Sequence, residues 1–218
     1  MLESQISRGL PLEEIKKVVV QENHEPLVEI EEGERIQLLQ EHKHLSPYVR
    51  KSVAKLLFTA AGNLPHGHKL LIICAYRPLW MQKELWRRRL RQMAKEHPFK
   101  MIFQYRKLKK MASKYTAPPG GSSHQSGGAV DLTVIDSTGN QLDMGTTLTD
   151  YGERVHMYND LITEIQKQNR KILRDAMTKA GFAYYPLEWW HYSYGDRMWA
   201  AYTKQSECFY EPLDENKN

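Results

Sequence analysis

A charged residue inside an apolar, strand-like segment constrains this chain more than any other feature. Residues 128–135 read Gly-Ala-Val-Asp-Leu-Thr-Val-Ile, and their alternation is typical of a β-strand with two distinct faces. Asp131 lies in the middle of that segment. A carboxylate in a buried strand needs a compensating cation, hydrogen bonds or a metal ion. The segment therefore predicts a buried strand whose aspartate has a specific partner.

Two histidines are candidate partners for Asp131. His124 precedes it by seven residues, and the Ser-Gly-Gly segment 126–128 permits a turn that returns the imidazole to the start of the strand. His191 lies far downstream, at the end of the Glu-Trp-Trp-His segment 188–191. Two imidazoles and one carboxylate form a zinc site with one coordination position left for water, as catalytic sites have. The alternative is that each histidine is an ordinary hydrogen-bonded core residue.

Glu188 is the candidate general base of such a site. A bound zinc ion lowers the pKa of water from 15.7 to about 7, and a nearby carboxylate then accepts the proton as the water attacks a carbonyl. Glu188 and His191 are three residues apart, which places them on one face of a helix but on opposite faces of a regular strand. If the segment is extended, we expect a bulge or a loop there.

Length and composition predict one domain, residues 1–218. The chain is 41% hydrophobic, and the stretch before residue 22 lacks the apolar segment of a secretory signal. No apolar run reaches the roughly 20 residues of a membrane helix. We therefore expect a cytoplasmic protein, or a periplasmic one if its N-terminus was processed. Cys74 and Cys208 are expected to be free thiols and make a thiolate zinc site improbable.

The net charge of +5 is concentrated in one segment. Residues 83–114 contain twelve lysines or arginines and two acids, Glu84 and Glu96. This basic stripe could contact an anionic surface. The alternative is the solvated face of a helix whose inner face is apolar. No nucleic-acid motif accompanies the charge, so a nucleic-acid partner is not expected.

The periodicity of the chain predicts alternating helices and strands, an α+β arrangement. Helices are predicted from Ser46-Pro47 to Gly62-Asn63, over Leu79–Lys95, and from Glu153 to Ala180. Strands are predicted at 18–20, 27–30, 69–75, 128–135, 182–185 and 189–194.

Several motifs, taken together, resemble the VanX-type D-alanyl-D-alanine dipeptidases. These enzymes belong to a group of zinc D,D-peptidases that includes the VanY-type D,D-carboxypeptidases and shares a fold with the Hedgehog signalling domain. They are Ala-Tyr-Arg-Pro at 75–78, Ser-Ser-His-Gln-Ser-Gly-Gly-Ala-Val-Asp at 122–131, Asp-Met-Gly-Thr at 143–146 and Glu-Trp-Trp-His at 188–191. The resemblance implies an α+β fold with a small, mainly antiparallel sheet. It assigns residues 46–205 to the catalytic core, while residues 1–45 match poorly.

The resemblance also implies residue roles. His124, Asp131 and His191 would bind one catalytic zinc ion, Glu188 would be the base, and Arg77 would stabilise the developing oxyanion. Ser122 would hold the substrate amine. Trp189 and Trp190 would narrow the site for a small substrate, or else belong to the core.

One position departs from the family pattern. The dipeptidases carry an acidic residue five positions after the methionine of the Met-Gly motif, where this chain has Thr149 followed by Asp150. Asp150, Asp143 or Glu153 could anchor the substrate amine instead. The resemblance thus implies hydrolysis of D-Ala-D-Ala or a related D,D-dipeptide. The alternatives are a D,D-carboxypeptidase acting on peptidoglycan stems and a zinc-stabilised, non-catalytic binding module.

Overall fold

The structure is a computed structural model, and it describes residues 9–39, 46–113 and 116–213. None of the helices in these ranges is long and apolar enough to cross a membrane. The helices are α1 (Leu12–Lys16), α2 (Lys51–Asn63), α3 (Leu79–Glu96), α4 (Pro98–Phe103), α5 (Tyr105–Ala112), α6 (Glu164–Lys179) and α7 (Arg197–Thr203). The strands are β1 (Val19–Val20), β2 (Leu27–Glu29), β3 (Ile36–Leu38), β4 (Tyr48–Arg50), β5 (Lys69–Cys74), β6 (Ala129–Ile135), β7 (Ala183–Tyr184), β8 (His191–Ser193) and β9 (Glu207–Cys208).

A five-stranded sheet forms the centre of the protein. Its order is β3-β5-β6-β8-β7, with one parallel pair, β3 and β5, and three antiparallel pairs. This confirms the predicted α+β class with a mainly antiparallel sheet. Strand β6 is buried along its whole length. The register pairs Asp131 of β6 with His191 of β8, so two candidate ligands lie directly opposite each other.

The main hydrophobic core joins the sheet to helices α2 and α6, which also contact each other. Helices α3 and α5 have a second, small cluster of buried side chains, namely Met93, Leu108 and Ala112. The protein therefore has two separate clusters of buried side chains, a large one that includes the sheet and a small one within the α3–α5 segment.

The predicted helix start at Ser46-Pro47 is wrong. Tyr48–Arg50 forms strand β4, which pairs antiparallel with β2, and the helix begins only at Lys51. The backbone N–H of Arg50 also donates to the carbonyl of Gly127 at 2.9 Å. These partners are distant in sequence and outweigh the local capping signal. The predicted end at Gly62-Asn63 is confirmed.

The long helix predicted from Glu153 is wrong over residues 153–163. Residues Glu153–Val155 form a single 3-10 turn, and α6 begins at Glu164 behind a capping box between Thr163 and Gln166. The buried guanidinium of Arg170 donates to the carbonyls of residues 144, 154 and 156, which holds the preceding segment as a loop. The predicted end next to Gly181 is confirmed.

Candidate metal and catalytic site

His124, Asp131 and His191 converge at one buried point. The Nδ1 atom of His191 lies 2.8 Å from Oδ1 of Asp131, and the Nε2 atom of His124 lies 3.2 Å from Oδ2. The two imidazoles approach each other within 3.2 Å, between His124 Nε2 and His191 Nδ1. Three side chains from residues up to 67 positions apart therefore face a common centre.

A tight turn brings His124 to the strand. His124 lies in the 3-10 turn Ser123–Ser126, and Gly127 closes this turn with a φ of 74°, which favours glycine. Gly128 follows, where a Cβ would lie 2.5 Å from the carbonyl oxygen of Tyr194. The predicted return of the chain through these glycines is confirmed.

Each imidazole is oriented by a further hydrogen bond. The Nδ1–H of His124 donates to the carbonyl of Ala75 at 2.8 Å, which turns Nε2 toward the centre. Nε2 of His191 lies 3.0 Å from the hydroxyl of Ser123, so Nδ1 is the atom turned inward. Metal-binding histidines typically have their second nitrogen held in this way.

The electrostatics of the cluster favour a cation. Burial lowers the pKa of His124, but the Asp131 carboxylate and Cys74 together outweigh it and raise the pKa to about 10. Burial raises the pKa of Asp131, but His124 and His191 outweigh it and hold that pKa well below its usual range. Asp131 therefore remains ionised and attracts positive charge. Two imidazoles and a carboxylate with converging donor atoms fit a divalent metal ion such as zinc.

Cys74 joins this cluster, which the sequence analysis did not predict. Its sulfur and donor atoms of His124 and Asp131 lie within 4.8 Å of one another. The β5–β6 register is irregular between Ile72 and Cys74, where Cys74 pairs with Asp131. Burial raises the pKa of the thiol, but Arg77 and His124 outweigh it and lower the pKa to about 7. The sequence signal was available only as the position of Cys74 three residues before Arg77.

Arg77 lies beside the same centre. Its Nη2 atom is 3.7 Å from Oδ2 of Asp131 and 3.3 Å from the sulfur of Cys74. Its Nη1 donates to the buried side chain of Gln82 at 3.1 Å, and Gln82 in turn donates to the carbonyl of Ala117. Gln82 thus positions Arg77 from helix α3, a role that sequence reasoning missed. Within the described ranges, the buried Nε of Arg77 has no hydrogen-bond partner, so one donor remains for a ligand.

Glu188 lies in the turn that leads into β8. The N–H of His191 donates to the carbonyl of Glu188 at 3.2 Å, so the segment is a loop rather than a regular strand. The loop expected at this point is present. Burial and the charge of Asp131 raise the pKa of Glu188 to about 8, while His124, Arg77 and Arg89 act in the opposite direction. The carboxyl group is thus poised near neutrality, as a proton-transferring group requires.

The residues predicted to contact substrate differ in burial. Ser122 is buried immediately before the His124 turn. Trp189 and Trp190 are buried in the main core, with their rings 5.4 Å apart. Asp150 is exposed, and its carboxylate accepts a hydrogen bond from the N–H of Thr147 at 2.7 Å. Asp143, an alternative amine anchor, accepts from the side chain of Gln166. Their roles toward a substrate stay predictions.

A second buried arginine, also missed from sequence, supports the His124 turn. Arg50 donates to the carbonyl of Ser126 at 2.7 Å and to the carbonyl of Glu25. It also pairs with the carboxylate of Glu22 at 3.1 Å. Because Arg50 joins the N-terminal segment to the ligand-bearing turn, residues before the predicted catalytic core contribute to the site.

This chain is similar in sequence to a family of known proteins. A family model described as D-Ala-D-Ala dipeptidase, Peptidase M15, matches residues 36–212. A D-alanyl-D-alanine dipeptidase of Escherichia coli is 37% identical over 93 residues, which is 42% of this chain and 48% of that protein. A D-alanyl-D-alanine dipeptidase of Synechocystis is 27% identical over 233 residues, covering 89% of this chain and 92% of that protein. The chain thus spans about half of the first relative and nearly all of the second.

Among solved structures, the vancomycin resistance D,D-pentapeptidase VanY in complex with Zn(II) is 18% identical to this chain. The match covers 88% of this chain and 92% of that structure, with a TM-score of 0.49.

Proposed function

Because this chain belongs to the Peptidase M15 family of D-Ala-D-Ala dipeptidases, we propose that it is a zinc-dependent peptidase that hydrolyses D-Ala-D-Ala or a closely related D,D-dipeptide. The observation that carries the proposal is the convergence of His124, Asp131 and His191 beside Arg77. Glu188 is close enough to interact electrostatically with Asp131, His124 and Arg77. The dipeptide specificity is taken from the relatives named D-alanyl-D-alanine dipeptidase.

The metal ligands of the proposal are His124 Nε2, His191 Nδ1 and the carboxylate of Asp131. Zinc, when bound, supplies Lewis-acid polarisation of the scissile carbonyl and lowers the pKa of a water molecule. Cys74 is the competing fourth donor within reach. We assign the third position to His191 because its Nδ1 is 2.8 Å from Asp131, whereas the sulfur of Cys74 accepts a hydrogen bond from Arg77.

Arg77 stabilises the negative charge that develops on the carbonyl oxygen. Its guanidinium is held by Gln82 and Cys74, and its Nε lacks a partner among the described residues, so the donor is oriented before substrate arrives. Fixed donors of this kind favour the transition state because no reorganisation is needed when charge develops.

Glu188 accepts the proton of the attacking water and returns it to the departing amine. Its pKa of about 8 is raised chiefly by burial, so both the protonated and the ionised form are accessible near neutral pH. One group that takes and then returns a proton accounts for both proton transfers of peptide hydrolysis. Ser122, together with Asp150 or Asp143, is proposed to hold the substrate amine.

Turnover of three substrates tests the proposal. Zinc-loaded protein is offered free D-Ala-D-Ala, L-Ala-L-Ala and N-acetyl-D-Ala-D-Ala, and released alanine is measured. We expect hydrolysis of the first substrate alone, with one zinc ion per chain. Efficient hydrolysis of the acetylated peptide would favour the D,D-carboxypeptidase alternative, and no hydrolysis of any peptide would favour the binding module.

Zinc retention by two variants tests the ligand assignment. His191→Ala should lose the zinc while Cys74→Ser retains it; the reverse pattern would move the ligand assignment to Cys74.

A further inference from the structure

Helix α4 exposes its large apolar side chains. Phe99, Ile102 and Phe103 are 63%, 73% and 68% exposed, and Met101 is 43% exposed. Phe99 and Phe103 are one turn apart, with ring centroids 4.8 Å from each other, and Ile102 lies on the same side. None of the residues of α4 is buried. A cluster of exposed aromatic and aliphatic side chains is unusual on a protein surface and typically marks a binding site.

The two helices that flank α4 in sequence, α3 and α5, carry exposed cations and contact α4. Helices α3, α4 and α5 touch one another, and the amino group of Lys100 lies 3.5 Å from the sulfur of Met111. Residues 83–113 contain two acids, and the carboxylate of Glu84 is shared by two arginines at 3.6 and 3.8 Å. The exposed cations on α3 and α5 are Lys83, Arg87, Arg88, Arg91, Lys95, Arg106, Lys107, Lys109 and Lys110.

The exposed face of α3 continues the pattern. Trp80 is 58% exposed and lies seven and eleven residues before Arg87 and Arg91, which places the three side chains on one face. Lys109 also lies over the ring of Tyr105, 4.7 Å from its centroid. The surface therefore combines aromatic and aliphatic groups with cations, as surfaces that insert into a lipid headgroup region do.

We propose that the α3–α5 surface docks the protein on an anionic lipid bilayer, with Phe99, Ile102 and Phe103 entering the interface and the surrounding lysines and arginines contacting the headgroups. The charges favour a negative membrane surface. The apolar side chains separate this occupant from a soluble polyanion, which would be bound by the cations alone. A second copy of the chain is not a suitable occupant, because two copies of this surface, each with nine exposed cations, would repel each other.

Docking through this surface would hold the peptidase site near the bilayer. The inner side of α3 carries Gln82, which binds Arg77, while its outer side carries Arg87 and Arg91. Helix α3 thus connects the peptidase site to the α3–α5 surface. The proposal does not depend on the peptidase reaction, because the exposed residues lie outside the catalytic cluster.

Co-sedimentation with vesicles tests this proposal. The full chain is mixed with phosphatidylcholine vesicles with and without phosphatidylglycerol, and the bound fraction is measured at low and high salt. We expect binding only to the anionic vesicles, weakened by salt because screening shortens the range of the attraction. Binding to neither vesicle, or equal binding to both, would overturn the proposal.

Two matched pairs of variants separate the apolar and charged contributions. Ile102→Ser with Phe103→Ser should reduce the vesicle partition coefficient by about tenfold or more. Leu161→Ser with Ile165→Ser, at sites 63% and 72% exposed outside the surface, should leave it unchanged. Arg106→Gln with Lys107→Gln should reduce it by about fivefold per charge. Lys51→Gln with Lys55→Gln on α2 is the control for charge.

Folding and alternative occupants are checked on the same variants. The Ile102→Ser, Phe103→Ser variant should keep its far-ultraviolet circular dichroism and its peptidase turnover, which shows that lost vesicle binding is not unfolding. Unchanged vesicle binding by this variant would reduce the surface to a simple polycation and refute the insertion. A dimer in sedimentation equilibrium that the same substitutions dissociate would identify the surface as a self-association interface instead.

Discussion

The sheet that contains the candidate metal cluster and the α3–α5 segment differ in where they place their charged side chains. In the sheet, Asp131 and His191 are paired across adjacent strands and buried, with Nδ1 of His191 2.8 Å from Oδ1 of Asp131. In the α3–α5 segment, cations and large apolar groups project outward around a small buried cluster. The contrast shows that burial orients the charged groups of the sheet, whereas exposure leaves those of α3–α5 available for partners.

The largest expected effect concerns Glu188, the proposed general base. Glu188→Gln should lower kcat for D-Ala-D-Ala by about 10²- to 10⁴-fold, because general acid and base catalysis is lost. Zinc should stay bound, since the metal ligands are intact. Steady-state kinetics with metal analysis checks both, and Glu207→Gln, an exposed glutamate on β9, is the control. An active Glu188→Gln enzyme would show that the base is another residue.

The second prediction compares a buried arginine with an exposed one. Arg50→Ala should lower the free energy of unfolding by about 2–4 kcal/mol, because it removes the donor of two carbonyls and the cation that pairs with the half-buried Glu22 carboxylate. Arg87→Ala on α3 should leave it unchanged within error, since its contact with Glu84 is solvent-exposed. Urea denaturation measures both variants. Similar losses in the two would contradict the contrast between the regions.

Arg77 tests whether orientation as well as charge matters at the centre. Arg77→Ala should lower kcat/KM by about 10²- to 10³-fold, the scale for loss of an oxyanion donor. Arg77→Lys should restore little, because an ammonium group does not reproduce the fork held by Gln82 and Cys74. Kinetics on D-Ala-D-Ala checks this. A small effect of both changes would reassign Arg77 to a structural role.

The smallest predicted effect concerns a buried carboxylate near the sheet. Burial raises the pKa of Asp196 to about 6, although the N–H of Trp199 opposes this. Because the folded-state pKa exceeds the unfolded one, the ionised form destabilises the fold, and stability falls as pH rises from about 4 to 6. Asp196→Asn keeps the cap of α7 without the charge. It should be more stable by roughly 2–3 kcal/mol at pH 7 and indistinguishable near pH 4.

Urea denaturation across this pH range measures the Asp196 difference. A stability difference that does not change with pH would show that the ionisation of Asp196 is not its source.

The candidate site residues were predictable because local patterns and a family resemblance agreed on them. Asp131 in an apolar strand and the glycines after His124 indicated a buried carboxylate with a histidine nearby, and the resemblance of the Glu-Trp-Trp-His segment to the dipeptidases supplied the roles. The helix boundaries at residues 46 and 153 were less predictable. A competing strand partner at β2 and the buried Arg170 override the local pattern there.

The amino-acid sequence by itself indicated the buried strand, the basic stripe and three candidate metal ligands, since these depend on composition and short-range periodicity, while the roles of the ligands and of the proposed base Glu188 rested on the resemblance to the dipeptidases. Only the tertiary structure decided that Asp131 pairs with His191, that Cys74 and Gln82 join Arg77, and that Arg50 braces the His124 turn. The reason is physical. These contacts join segments whose separation in sequence is set by strand register and burial, and no local pattern encodes which distant groups will meet.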